Sequence, residues 1–223
     1  MLRMAAQTYT GIMHRVDVAE LLEDPSLPDD VVAHAYRDLA RTQRLLGNTA
    51  AIFKMLREGP VGRVLDIGCG QGALLAEIHQ KLRVEVVGFD LRPAPASEGV
   101  TILAGNAAVD PLPDADVALA VCLIHHLSEA EVVGLIRNVS RSCRRFIILD
   151  LVRHWIPAAL FRVFVGPLLH PINAADGLTS VRRAYTPREL RALVDEAVKG
   201  SNARVSHTVA PFYTRQVVDI RWR

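Results

Sequence analysis

Residues 64–72, V-L-D-I-G-C-G-Q-G, constrain the fold more than any other stretch. Val64, Leu65 and Ile67 form a short apolar run that suits a buried parallel strand. The chain then turns abruptly to glycine. Gly68, Gly70 and Gly72 alternate, so the backbone can turn tightly and lie close to a bound molecule with no Cβ in the way. A helical pattern follows at once in Ala73, Leu74, Leu75, Ala76 and Ile78. Strand, glycine turn and helix make the first unit of an α/β fold, with helix N–H groups aimed at a ligand crevice. Asp66 closes the strand, where its carboxylate faces that crevice.

The pattern continues. From residue 61 the order reads strand, helix, strand, strand, strand, helix, strand. The strands are placed at 61–67, 84–90, 100–103, 117–123 and 146–152, and the first helix at Ala73–Leu82. Arg92-Pro93-Ala94-Pro95 is a poor start, so the second helix is short or absent. Ser128-x-x-Glu131 is a capping box, with Leu127 and Val132 placed as a hydrophobic staple, for a helix running to about Arg141. Thr186-Pro187-Arg188-Glu189 starts a second capped helix that Gly200 ends. Two strands near 203–210 and 216–222, separated by Pro211-Phe212-Tyr213, can pair as a hairpin. Unbroken apolar strands alternating with helices imply a mostly parallel sheet covered on both faces.

Ahead of this core, residues 1–59 form an N-terminal helical segment, joined to it at Gly59-Pro60. Residues 16–23 suit a short helix stopped by Asp24-Pro25. A longer pattern from Asp29/Asp30 breaks at Gly47-Asn48. It is either a helix pair packed on the sheet or a lid over the crevice. The 223-residue length suits one domain with a full core, and a net charge of +2 does not argue for nucleic acid or a membrane surface. Arg141, Arg144 and Arg145 read as a solvated helix end, or less readily as a phosphate site. Three cysteines, Cys69, Cys122 and Cys143, with no C-x-x-C argue for a reducing compartment. There is no zinc-ligand spacing, no apolar leader and no stretch long enough to span a bilayer, so a cytoplasmic protein is expected.

Residues 68–73 also satisfy the looser dinucleotide pattern G-x-G-x-x-A. Asp66 together with Gly72, however, resembles motif I of the class I S-adenosylmethionine (SAM)-dependent methyltransferases. The resemblance implies a Rossmann-like seven-stranded sheet, mostly parallel with an antiparallel last strand, and SAM as cofactor. The predicted terminal hairpin fits that sheet rather than the all-parallel sheet of a dehydrogenase. Asp90, about twenty residues beyond the loop, is placed to accept from ribose hydroxyls, and Leu91 follows it. Gly105-Asn106-Ala107-Ala108 resembles the family segment whose acidic side chain contacts the adenine amino group. Asn106 stands in the acidic place, where it either accepts from that group or forms a turn.

After the fourth strand, Cys122-Leu123-Ile124-His125-His126-Leu127 resembles the paired histidine of quinone-biosynthesis and small phenol methyltransferases. A phenol has a pKa of ~10 and histidine ~6.5, so either histidine suits a base at neutral pH, His126 ahead of His125. Each equally suits packing or a backbone hydrogen bond. Asp150 after the fifth strand orients a histidine or a substrate hydroxyl, or caps the next helix. Metal-dependent catechol methyltransferases carry carboxylates after strands four and five; strand four here ends in Cys122 and histidines, so no metal is expected. The insertion at about 153–185 is placed to shape the acceptor site, and its apolar stripe, Ile156, Leu160, Phe161, Phe164 and Leu168, suits core or a dimer surface. Residues 176–190 resemble the D-G-x-x-S-x-x-R-x-(Y/F)-T-P-x-E-L stretch of bacterial small-molecule methyltransferases associated with polyketide and phenolic products of secondary metabolism. His170 just before it is a second candidate base.

The expected activity is therefore metal-independent methyl transfer to a hydroxyl of a small phenolic or polyketide-like acceptor, by a monomer or homodimer. Carbon methylation of an activated ring would use the same base. A non-catalytic SAM-binding module and an NAD-dependent dehydrogenase are the alternatives from other classes.

Overall fold

The computed structural model describes residues 13–24, 26–93 and 99–222. Residues 1–12 and 94–98 lie outside it, and with them the start of the N-terminal segment and most of the region where the second helix is expected to be short or absent. Seven strands form one sheet: β1 (Arg63–Ile67), β2 (Glu85–Asp90), β3 (Thr101–Ala104), β4 (Ala115–Val121), β5 (Cys143–Asp150), β6 (Arg204–Val209) and β7 (Gln216–Arg221). Their order is β3-β2-β1-β4-β5-β7-β6. The first five run parallel; β7 pairs antiparallel with both β5 and β6. The chain leaves β1 toward one edge and returns through β4 toward the other. That reversal opens a crevice beyond the carboxyl ends of β1 and β4.

Alternate residues of each strand point to opposite faces. Leu65, Ile67, Phe146 and Ile148 pack on the side of α4 (Glu129–Ser142) and α7 (Pro187–Ala197). Val64, Leu119, Ile147 and Leu149 pack on the other side, against α2 (Asn48–Leu56) and α3 (Ala73–Leu82). Such fully buried side chains contribute ~1.5–3 kcal/mol each. Both capping boxes form: Ser128 and Thr186 each accept from the backbone N–H three residues on, and Glu131 and Glu189 reach back. Gly47, at φ +73°, separates α1 (Asp29–Leu45) from α2.

Of the arginine group, Arg141 is exposed in the last turn of α4 and Arg144 is exposed, as a solvated helix end requires, but Arg145 differs. Arg145 lies on β5, buried, with two guanidinium nitrogens each 2.9 Å from an Asp219 carboxylate oxygen. It serves as a cross-strand tie and offers no phosphate site. The insertion holds α5 (Trp155–Leu160), a π turn (Phe161–Val165), a short 3-10 turn and α6 (Pro171–Arg183). Its apolar stripe does not bury as one face: Phe164 and Leu168 are exposed. Phe161 instead lies against Gly177, where an added Cβ would fall 2.1 Å from the ring.

Candidate active site

The glycine loop follows β1 directly. Gly68 N–H donates to the Phe89 carbonyl at 2.8 Å, which ties the loop to the end of β2. Gly70 N–H and Arg92 N–H each donate to the Asp90 carboxylate at 2.9 Å. Asp90 thus braces the loop while keeping lone pairs for hydroxyl donors. Asp66 is buried beside it, with no hydrogen bond to its carboxylate among the described residues. Burial, then repulsion from Asp90, pushes its pKa up to about 8. A site lined this way favours a cationic group near Asp66. Burial also raises the Cys69 thiol. Its sulfur occupies space against Gly88 that a Cβ there would enter.

Tyr36 on α1 crosses over this loop. An added Cβ at Gly70 would meet its ring at 2.8 Å, and Gly70 has φ +55°. Further along α1, the Gln43 amide donates to Cys122 Sγ at 3.1 Å. Burial pushes the Cys122 thiol up to about 12. One helix therefore spans from the glycine loop to the end of β4. At the end of β3, Asn106 forms a turn, its side-chain oxygen accepting from Ala108 N–H at 3.0 Å. Ala107 packs on the core and Leu91 is exposed.

The second group gathers at the ends of β4 and β5. His125 and His126 lie in a 3-10 turn, Ile124–His126. His125 Nδ1 is 2.7 Å from Asp150 Oδ1, and His125 N–H donates to Asp150 Oδ2 at 3.1 Å. Leu151 N–H also donates to Asp150. Burial pushes the Asp150 pKa upward, but the His125 ring and these hydrogen bonds outweigh it and hold the carboxyl below its usual value. Burial pushes His125 down, and Asp150 and Glu20 overcome that to raise it. Asp150 therefore orients the buried His125, whereas His126 is part-exposed and lines a cavity of about 360 Å³ with Arg15, Leu127, Ser128, Glu131 and Arg183.

Glu20 completes this group, and nothing in the sequence reading singled it out. Its Oε1 lies 3.7 Å from His125 Nε2 and 3.9 Å from His126 Nε2. Burial raises its pKa, and His125 and Ser180 offset only part of that. The D-G-x-x-S-x-x-R face of α6 holds the segment that carries it. The Asp176 carboxylate accepts from Leu21 and Leu22 N–H at 2.7 and 2.9 Å. The Ser180 hydroxyl lies 2.6 Å from Glu20 Oε1. The Arg183 carbonyl accepts from Arg15 Nε at 2.7 Å, and its guanidinium reaches the His126 carbonyl. His170 stands apart from this group. It is exposed, caps α6 through Ile172 N–H and lies by His34 and Asp38 of α1.

Residues 64–145, from β1 into β5, match a family model described as a methyltransferase domain. A solved structure of the plantazolicin methyltransferase BpumL with a monoazolic desmethylPZN analog and S-adenosylhomocysteine (SAH) superposes with TM-score 0.67 at 14% identity, covering 87% of this chain and 91% of that one. A protein described as an O-methyltransferase from Nostoc punctiforme PCC 73102 gives 0.61 at 18% identity, over 93% of this chain and 64% of the other. The methyltransferase domain of a bacterial Hen1 gives 0.57 at 16%, over 81% and 98%. At these identities the likeness is one of fold, the Rossmann-like methyltransferase fold. Among curated proteins, the ribosomal RNA large subunit methyltransferase E of Hyphomonas neptunium is 41% identical over 71 residues, 32% of this chain and 29% of that relative's length. The SAH-bound neighbours and the domain match agree with SAM as cofactor.

Proposed function

We propose that this chain transfers the methyl group of SAM to a hydroxyl of a small phenolic or polyketide-like acceptor. The observation that carries the reading is the convergence of two groups at the carboxyl ends of the central strands. The glycine loop with Asp66 and Asp90 lies at β1 and β2, and Glu20, His125, His126 and Asp150 lie at β4 and β5. Asp66 receives the ammonium of SAM, and Asp90 accepts from the ribose. Gly68, Cys69, Gly70, Gly72, Leu91, Asn106, Ala107 and Cys122 line the cofactor's path. α1, with Tyr36 against the loop, closes over it as a lid. Residues 1–59 are that lid segment and 60–223 the core, with the insertion at 153–185 shaping the acceptor side.

The sulfonium is already an activated donor, so the protein's work is positioning and proton removal. The acceptor oxygen attacks the methyl carbon, and the C–S electron pair returns to sulfur. The hydroxyl proton passes to the histidine pair, with His126 as the exposed member and His125 held by Asp150. His170, on the far end of α6, takes no part. Screening phenols and RNA fragments with methyl-labelled SAM tests the acceptor class, and product analysis separates oxygen from carbon methylation. His126→Ala should lower turnover on a confirmed phenol at least ~100-fold, with SAM affinity changed little. Label passing to RNA alone would overturn the acceptor class. Wild-type turnover in His126→Ala would remove His126 from the chemistry.

A further inference from the structure

We propose that Glu20, His125 and His126 bind one divalent first-row transition-metal ion, for which zinc is the probe. Glu20 Oε1 lies 3.7 Å from His125 Nε2 and 3.9 Å from His126 Nε2, and the three ligand atoms all fall within 4.8 Å of one another. Neither gap is a hydrogen bond, since N–H···O contacts run ~2.7–3.2 Å. Zinc bonds of ~2.0–2.1 Å in a tetrahedron place neighbouring ligand atoms ~3.3 Å apart. Movements of roughly half an ångström would bring all three onto one ion.

The other nitrogen of His125 supplies a second argument. Asp150 accepts from two backbone N–H groups and lies 2.7 Å from Nδ1. A ring proton on Nδ1 leaves the Nε2 lone pair facing the Glu20 carboxylate. In that neutral tautomer two acceptors face each other, and a metal cation can take the place between them that a second ring proton would otherwise hold. A carboxylate behind a ligating histidine is a frequent outer-shell arrangement, fixing the tautomer and raising ligand basicity. Ser180 steadies the carboxylate ligand in the same manner. The sequence has no metal-ligand spacing because the carboxylate comes from the N-terminal segment, far from the histidines in the chain. The expectation of no metal rests on ligand spacing and on the residues after the fourth and fifth strands, neither of which includes Glu20.

Three protein ligands leave a position for an acceptor oxygen on the side where His126 meets the cavity. An ion there lowers the pKa of a bound hydroxyl, whose proton leaves to water. With the ion bound, His126 acts as a ligand rather than a free base. That chemistry rests on the methyl-transfer reading; the binding of the ion does not.

The test is calorimetric titration of the chelator-stripped full chain with Zn2+, with Mn2+ in parallel and elemental analysis of the loaded protein. One Zn2+ per chain is expected. Glu20→Gln and His126→Ala should each weaken binding at least ~10-fold while keeping the wild-type circular dichroism, and Asp150→Asn should weaken it ~10-fold through His125. His170→Ala should bind as wild type. Absence of stoichiometric binding by folded wild-type protein, or unchanged affinity in both ligand variants, would overturn the site. SAM titrated into the same samples separates the two readings. SAM binding and turnover without zinc binding would overturn the metal site alone, whereas zinc binding without SAM binding would overturn the methyl-transfer reading alone.

Discussion

Asp66 shows how one buried side chain links stability to binding. Its carboxyl, pushed up to about 8, holds a proton that the unfolded chain releases near its ordinary value of ~3.9. The folded, unliganded protein therefore binds more protons between those values, and its stability falls as pH rises through that window. An ammonium group placed beside Asp66 favours the ionised form. SAM affinity should then rise as pH climbs toward 8, and fall again as the ligand's own α-amino group, at ~7.7–8.0, loses its proton. Calorimetry at pH 7 in buffers of different ionisation enthalpy should show net proton release on SAM binding. Asp66→Asn should bind more weakly and without that release. Wild-type binding with no proton release would sever Asp66 from the ligand's ammonium. Asp66 was legible in the sequence from its place before the glycine loop. Glu20 was not, because only tertiary packing brings it to the histidines.

At the level of elements, α6 is the part the sequence concealed. Asn173, Asp176, Gly177 and Ser180 are weak helix formers, so the stretch reads as a specific polar connection. In the fold these residues serve packing. Asn173 donates to the Ala35 carbonyl of α1, Asp176 and Ser180 hold the segment around Glu20, and Gly177 admits Phe161. Tertiary contacts outweigh propensity here. Asp176→Asn should loosen this segment locally. Hydrogen exchange at the Leu21 and Leu22 amides should speed by at least ~10-fold, with the β-sheet amides unaffected. Equal protection in the variant would mean that Asp176 does not hold the segment. Gly177→Ala should cost ~1–3 kcal/mol in urea unfolding by overpacking against Phe161, and Phe161→Leu should recover part of it. Additive losses in the double variant would show that the two residues do not share that contact.

Across the whole molecule, the strand positions follow from signals that are strong because they are local. Apolar runs end in glycine or aspartate, and two capping boxes and a Pro-rich turn punctuate the chain. These place all seven strands within a few residues and pair the last two as a hairpin, which the fold sets at the edge next to β5. Arg145 was misread because its partner, Asp219, arrives through the β5–β7 register, which no local pattern encodes. The sheet reversal between β1 and β4 brings the glycine loop and the histidine turn to one edge. No helix among the described residues is long and apolar enough to cross a membrane. Everything proposed for the acceptor depends on the cofactor lying in that crevice. The most direct measurement is calorimetric titration of wild type and Gly70→Val with SAM, SAH and NAD. Wild type should bind one SAM or SAH per chain and no NAD, and Gly70→Val should bind none of them, because its side chain enters the space between loop and Tyr36. NAD binding without SAM binding, or unchanged SAM affinity in Gly70→Val, would contradict the account.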